Sequence, residues 1–286
     1  MISTEKPLFL VRKEAAERLK AAGIDAYVLE ADLLAGHVLG KSRTFILTHP
    51  EFSLSQHRQS LLENLLQRRI QMEPIQYILG CAPFMDIVLS VGPDVLIPRQ
   101  DTEILAETLI ADIGADEKHF LDLCTGSGCI VLSVLHACAR ATAAASDLSP
   151  AALSIAEQNA ERLRLHRRIC FYQGSFFEPI PQKRQFDYIV SNPPYIPSKE
   201  LSGLEKQVKA YEPKLALDGG TDGLSAYRAI ISKAPSYLKQ GGKILLEVGA
   251  GQAQQVSELL YACQFRNISA AKDLNGIYRA VSANIS

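Results

Sequence analysis

The sequence predicts an α/β protein, a parallel sheet wound with helices on both faces, behind a small amino-terminal helical bundle and a β-hairpin linker. Three observations predict it. From about residue 98 onward strand-like and helix-like segments alternate. Ahead of them, over roughly residues 8–72, apolar residues recur at three- and four-residue spacing, and between the two regions lie short β-rich runs broken by turn formers.

The helical period is clearest in Ala26–Leu29, Leu33–Leu39 and Leu61–Leu66. Asp25 and Ser55 stand where helix caps belong, and Gly23 and Gly40 where helices stop. The runs Tyr77–Gly80 and Ile87–Pro93 read as the two arms of a hairpin. After them the expected order is helix 101–110, strand 119–123, helix 128–138, strand 141–146, helix 150–163, strand 169–173 and strand 186–191. A further strand covers 243–248. The expected domains are 1–73, a helical recognition domain; 74–97, the hairpin linker; and 98–286, the catalytic domain.

Composition narrows the class. A chain of 286 residues exceeds the roughly 250 at which single cores stop growing, so two unequal domains are expected. With 47% hydrophobic residues, 21% charged residues and a formal net charge of −1, it lacks the basic excess of a duplex-DNA binder. The six cysteines are scattered without metal-ligand spacing, so they read as small apolar fillers in a reducing cytosol and no metal is expected. The amino terminus is charged at Glu5 and Lys6 and again at Arg12 after only the four apolar residues Leu8–Val11, and no run approaches the roughly 20 apolar residues of a membrane span, which favours a cytoplasmic protein without membrane contact.

Two stretches carry chemistry. In the first, Thr125-Gly126-Ser127-Gly128 sits at the turn from a short apolar strand into a helix, where glycine lets backbone approach a ligand closely. Asp147 ends the next strand, about 20 residues on, where a carboxylate can accept from ribose hydroxyls. A dinucleotide site would have a third glycine at position 131, which is Val131, whereas Asp122 lies inside the motif. Asp122-x-x-x-Gly-x-Gly resembles the first motif of class I methyltransferases, in which the acid lies near the methionine part of S-adenosylmethionine. The plainer alternatives are a turn cap for Asp122 and a helix cap for Asp147.

The second stretch is Ser191-Asn192-Pro193-Pro194-Tyr195-Ile196-Pro197. An amide nitrogen is a poor nucleophile because its lone pair is delocalised, a resonance measured by rotation barriers of roughly 18–20 kcal/mol. A site that binds both N–H groups to oxygen acceptors can raise electron density on that nitrogen and aim it. Asn192 supplies a side-chain carbonyl and, preceding proline, is held extended. Pro193 and Pro194 offer carbonyls without competing N–H groups, and Tyr195 can lie flat on a planar amide or base. A proline-rich turn that merely ends a strand is the alternative.

These stretches, with Leu33–Arg43, Pro74–Gly80, Leu96–Glu103 and Tyr211–Leu224, make the chain resemble the peptide-chain release factor glutamine methyltransferases, the PrmC/HemK family, over nearly its whole length. The resemblance implies a Rossmann-like class I catalytic domain with a seven-stranded sheet. It also implies methyl transfer from S-adenosylmethionine to the glutamine N5 of the Gly-Gly-Gln loop in class 1 release factors. Asn192 and the Pro193 carbonyl would grip the amide, with Pro194 and Tyr195 beside it as further substrate contacts. Cys124, Thr125, Gly126, Ser127, Gly128, Asp122, Asp147 and Asn192 would hold the cofactor. Two departures stand out. Gln100 replaces the family's usual proline, and Gly174-Ser175-Phe176-Phe177 replaces an acidic residue followed by an aromatic, leaving Ser175 and Phe176 to face adenine.

The stretch Arg162, Arg164, Arg167, Arg168, Lys183 and Arg184 reads as a solvated face, Glu247 as an edge or cap carboxylate, and Glu212-Pro213 with Asp218–Gly220 as a loop over the site. A glutamine of a ribosomal protein is the nearest rival substrate. An adenine-N6 DNA enzyme would need a target-recognition domain and a basic cleft, and a noncatalytic module would have lost cofactor binding.

Overall fold

The computed structural model describes residues 5–182, 185–273 and 275–285, which leaves Lys183 and Arg184 of the basic stretch outside the described residues. The chain divides into two compact units, Met1–Gly80 and Cys81–Ser286.

The first unit pairs a short β1 (Lys6–Pro7) and β2 (Ser53–Leu54) beside helices α1 (Leu8–Ala21), α2 (Tyr27–Leu39), α3 (Arg43–Thr48), α4 (Gln56–Ile70) and α5 (Ile75–Leu79). Its core is aliphatic, including Leu8, Leu19, Leu34, Ile46, Leu54 and Leu62. Ser55 caps α4 by accepting from the Arg58 N–H, and Gly40 ends α2 in the left-handed region. Asp25 does not cap α2, which starts at Tyr27 with Ala26 in the capping position and no side-chain cap. The strand expected at Tyr77–Gly80 is instead α5, entered from Pro74 and stopped by Gly80 at φ 70°. An apolar run this short carries no period, and the flanking proline and glycine are helix punctuation.

One ion pair is built into this unit's interior. Arg69 of α4 donates to Glu30 of α2 through Nε (2.6 Å) and Nη2 (3.2 Å), and through Nη1 to the Glu73 carbonyl (3.1 Å). Both side chains are buried. Removing one partner leaves the other charge stranded, a loss of about 3–5 kcal/mol, whereas replacing both with apolar groups is often neutral.

The second unit opens on the hairpin β3 (Cys81–Phe84) and β4 (Ile87–Ser90), so the first arm lies four residues further along the chain than the sequence pattern suggests. Then follow α6 (Gln100–Ile113), β5 (His119–Leu123), α7 (Cys129–Ala137), β6 (Thr142–Asp147), α8 (Pro150–Arg162), β7 (Ile169–Gln173), β8 (Phe186–Ser191), α9 (Lys206–Tyr211), α10 (Ser225–Lys233), β9 (Leu238–Glu247), α11 (Ala253–Ala262), β10 (Arg266–Lys272) and β11 (Tyr278–Asn284). The sheet has seven strands in the order β10-β11-β9-β8-β5-β6-β7, parallel except for β11, which runs antiparallel to both its neighbours. Central strand β5 is buried along Phe120–Leu123, as a strand covered on both faces must be. One face packs on α6 and α7 residues such as Leu105, Leu109 and Val134; the other packs on Tyr227, Ile230 and Val256 of α10 and α11.

The chain steps from β5 outward through β6 and β7, then returns to pair β8 on the opposite side of β5. That reversal opens a crevice at the strands' carboxyl ends. Asn159 of α8, fully buried, accepts from the Ser90 N–H (2.7 Å) and donates to the carbonyls of Ser90 and Ser127 (3.0 Å each), fastening the hairpin beside the crevice. Two of the basic residues are not merely solvated. Arg168 donates to the Cys138, Ala139 and Ala141 carbonyls at the end of α7, and Arg162 to the Val88 carbonyl. Nor are the cysteines uniformly fillers, since Cys170 is exposed.

Replacing Arg69 with Ala should lower unfolding free energy by about 3 kcal/mol in a urea titration, and the double change Arg69→Met with Glu30→Met should recover most of it. A single-variant loss below about 1 kcal/mol would show that the pair contributes no more than an exposed one.

Candidate active site

Pairing registers bring four chain segments to one edge. Leu123 pairs with Ser146 on one side and Ser191 on the other, and Ser191 pairs with Leu246. The next residues out, Cys124, Asp147, Asn192 and Glu247, therefore emerge side by side. Ser191 Oγ donates to the Leu123 carbonyl (2.7 Å), locking the two central ends together.

The loop after β5 is wound tightly. Cys124 and Gly126 have φ of 60° and 56°, and Gly128 has 82° as it enters α7. A Cβ on Gly128 would meet Leu132 at 2.9 Å, so bulk is excluded there by packing as well as by conformation. A Cβ on Gly126 would meet nothing within 4 Å; that residue faces open space in the crevice. Asp147 bridges this loop to α8, accepting from the Gly126 N–H and the Ser149 N–H (2.9 Å each), while Ser149 caps α8. The helix-cap reading of Asp147 is thus true in part. Each carboxylate oxygen retains a lone pair for a ligand.

Asp122 lies beneath the loop, fully buried. Its Oδ2 accepts from Thr125 Oγ1 (2.7 Å), and its Oδ1 has no hydrogen-bond partner among the described residues. Burial pushes its carboxyl up to about 7, partly offset by Thr125 and reinforced by Asp147. An orphaned acceptor of this kind suits a cationic ligand group. Of the residues expected to hold a cofactor, Cys124, Thr125, Gly126, Ser127, Asp147, Ser175, Phe176 and Asn192 line one crevice; Asp122 and Gly128 support it from behind. Phe176, at φ 49°, is fixed through its carbonyl, which accepts from Ser146 Oγ (2.9 Å).

The loop after β8 forms the other wall. Asn192 Nδ2 donates to Thr102 Oγ1 (3.2 Å), which leaves Oδ1 as the oxygen free to receive a donor. Pro194 lines the crevice, Pro193 is buried, and Tyr195 lies behind. Tyr195 is held from several directions. Its hydroxyl donates to Glu247 Oε1 (3.3 Å), and its carbonyl accepts from Gln252 Nε2 (2.9 Å). Gly219 and Gly249 let neighbouring backbone pass so close that a Cβ would meet the Tyr195 Cα at 2.7 Å and Cδ2 at 3.1 Å. The 212–220 segment does run alongside, joined by Ile196 N–H to the Leu217 carbonyl (3.0 Å) and Gly219 N–H to the Ile196 carbonyl (2.9 Å). Arg99 pairs with buried Glu212, tying that segment to the start of α6.

The sequence pattern does not single out Thr102, Arg99 or Gln252, and it makes Glu247 an edge carboxylate. Thr102 and Arg99 lie in the Leu96–Glu103 stretch, so only a motif signal could have found them; Gln252 has none. Glu247 is buried, its Oε2 lacks a partner among the described residues, and burial pushes it up to about 7 against opposing hydrogen bonds from Thr102 and Tyr195. Among the described residues no His/Cys/Asp/Glu cluster could hold a metal, and no helix is long and apolar enough to cross a membrane.

Asp122 and Glu247 give the fold a defined pH response. Both carboxyls are raised above their ordinary range, so the stability that their neutral forms contribute is complete below about pH 4 and is lost as pH rises through about 7. The melting temperature of the protein without ligand should fall between pH 5 and 8, and Asp122→Asn should flatten part of that fall. An identical slope in the variant would show that Asp122 is already ionised at pH 5.

Residues 11–80 match the family model described as PrmC N-terminal domain, and residues 99–209 the one described as Methyltransferase small domain. A release factor glutamine methyltransferase of Geobacter sulfurreducens is 38% identical, covering 99% of both chains. One of Coxiella burnetii is 42% identical over 89% of this chain and 91% of its own. The solved T. thermophilus 16S rRNA methyltransferase RsmC, in complex with AdoMet and guanosine, shares the fold alone, with TM-score 0.52 and 18% identity over 72% of this chain and 50% of that one. With its seven-stranded sheet, its glycine loop beside Asn192-Pro193-Pro194-Tyr195 and full-length relatives at this identity, the chain belongs to the release factor glutamine methyltransferase family.

Proposed function

We propose that this enzyme methylates the side-chain nitrogen N5 of the glutamine in the Gly-Gly-Gln loop of class 1 release factors, with S-adenosylmethionine as methyl donor. One observation carries the reading. The register of β5, β6 and β8 sets a ligand loop with an orphaned buried carboxylate directly beside an asparagine carbonyl and a pair of prolines.

The residues fit the donor. Asp122, buried beneath the loop with Oδ1 unpartnered among the described residues, would complement the ammonium of its methionine part from behind the crevice, Gly126 leaves room for close approach, and Asp147 can accept from its ribose hydroxyls. Ser175 and Phe176 line the same crevice and would face adenine. When bound, the group supplies a sulfonium methyl as electrophile.

The chain's own part is orientation. Asn192 Oδ1 and the Pro193 carbonyl accept the two amide hydrogens, which withdraws the nitrogen from bulk water and fixes the plane of the NH₂ group. Pro193 and Pro194 bring no competing donors. The Tyr195 ring supports the amide from behind. In the transfer the nitrogen lone pair would form the new C–N bond while the C–S bonding pair stays with sulfur, and the proton shed by the nitrogen would pass to solvent. Positioning of this kind supplies much of a barrier reduction without a strong general base.

In the same reading residues 1–73 recognise the release factor, residues 74–97 are the linker and residues 98–286 carry catalysis. The partner is a protein, with neither specific nucleic-acid binding nor membrane attachment, and cytoplasmic residence belongs to the proposal.

Incubation with a purified class 1 release factor and methyl-labelled donor, followed by peptide mass spectrometry, should place one methyl group on the Gly-Gly-Gln glutamine. Label on a ribosomal protein with that glutamine untouched would overturn the substrate assignment. Asn192→Ala should lower turnover by about 100-fold or more while leaving the melting temperature near that of the parent. Gly126→Val, which fills the open side of the loop, should weaken donor binding by at least about tenfold in calorimetry. Undiminished binding would show that the donor does not approach that backbone.

A further inference from the structure

S-adenosylmethionine carries a carboxylate as well as an ammonium, a sulfonium and a nucleoside. Asp122 would complement its ammonium, Asp147 its ribose, and Ser175 and Phe176 its adenine, and none of these suits an anion. A carboxylate leaving water needs charge-assisted donors, or it forfeits its hydration. The crevice is otherwise hostile to it. Asp94 and Asp147 line the walls and Asp122 lies beneath, so that among the described lining residues Arg99 is the one cationic side chain.

Position along the sheet points to the same group. Strands follow the order β8-β5-β6-β7, with Asp147 at the end of β6 and Ser175 and Phe176 just after β7. Ribose and adenine therefore take that side, and the methionine part turns toward β5 and β8. Arg99 belongs to the β8 side. Its carbonyl accepts from the Thr102 N–H (3.1 Å), and Thr102 Oγ1 accepts from Asn192 Nδ2 at the end of β8 (3.2 Å). The guanidinium is anchored by one arm only. Nη2 donates to Glu212 Oε1, its one side-chain partner among the described residues, while Glu212 Oε2 receives nothing there. Arginine has five N–H donors in a rigid plane, so those of Nε and Nη1 remain open on a side chain that is 39% exposed, against 1% for Glu212.

We propose that Arg99 binds the carboxylate of the methyl donor through the guanidinium N–H groups that Glu212 leaves open. The proposal rests on seating S-adenosylmethionine in this crevice. It gives the donor's amino-acid tail a contact of its own, separate from the glycine loop, and it makes the site selective for donors that keep that carboxylate.

Calorimetry on the full chain with two ligands tests it. One is S-adenosylmethionine; the other is its decarboxylated analogue, which keeps the sulfonium, the amine and the nucleoside. The parent should bind the whole donor at least about tenfold more tightly than the analogue. Arg99→Gln, which can still donate to Glu212 but carries no charge, should weaken S-adenosylmethionine by about tenfold or more and leave the analogue within about twofold of the parent. Arg99→Lys should fall between. The double change Arg99→Gln with Glu212→Gln strands no buried charge, so it reads the same loss of discrimination even where the single variant folds poorly. A parent that binds both ligands equally would overturn the proposal. So would variants that discriminate as strongly as the parent, because the carboxylate would then be held elsewhere. Equal weakening of both ligands in Arg99→Gln and in the double variant would reduce Arg99 to a structural strut. A parent that binds neither ligand would instead overturn the seating of the donor, and the proposal with it.

Discussion

Parallel pairing of β5 with β8, in register so that Leu123 faces Ser191, is the constraint on which the rest depends. Side chains alternate faces along a strand, so a slip of one residue would turn Asn192 away from the crevice and bury a polar group in the sheet. The register is held from within by Ser191 Oγ on the Leu123 carbonyl and by burial of Phe120, Leu121, Leu123, Ile189 and Val190. Once it is set, the glycine loop, Asp147, Asn192 and Glu247 meet without any long-range reach by a flexible side chain.

This edge concentrates polar cost where the core would otherwise be hydrocarbon. Asp122 and Glu247 are buried with an oxygen each unpartnered among the described residues, and each is raised to about 7 mainly by loss of hydration. Asn159 shows the satisfied alternative, with three backbone partners, while Ser127, Ser133 and Glu212 also keep an unpartnered buried oxygen among the described residues. An unpartnered buried carboxyl whose pKa is raised and which lies at the crevice end of the sheet is the pattern expected of a functional group. Asp122 lies beneath the glycine loop, bonded to Thr125, and Glu247 lies behind the Asn192 loop, bonded to the Tyr195 hydroxyl.

Legibility in the sequence follows the range of the interactions. Strands 119–123, 169–173 and 186–191 are readable to the residue because dense apolar runs bounded by turn formers leave little freedom. The glycine loop and the Asn192–Tyr195 stretch are readable because unusual backbone demands leave glycine and proline behind as local signs. Tyr77–Gly80 misleads, since so short an apolar run has no period and its flanking proline and glycine serve turns and helix ends alike. Glu247, Thr102 and Gln252 stay hidden for a different reason. Their contacts lie with partners 52, 90 and 57 residues away, and nothing local in the sequence marks them.

Methyl transfer in this enzyme turns on where the substrate amide sits. A crystal structure of the enzyme with S-adenosylhomocysteine and a release factor carrying the Gly-Gly-Gln loop tests that placement most directly. The glutamine NH₂ nitrogen should lie about 3 Å from both Asn192 Oδ1 and the Pro193 carbonyl oxygen, in line with the sulfur. A glutamine amide bound elsewhere in the crevice, with Asn192 Oδ1 facing water, would contradict it.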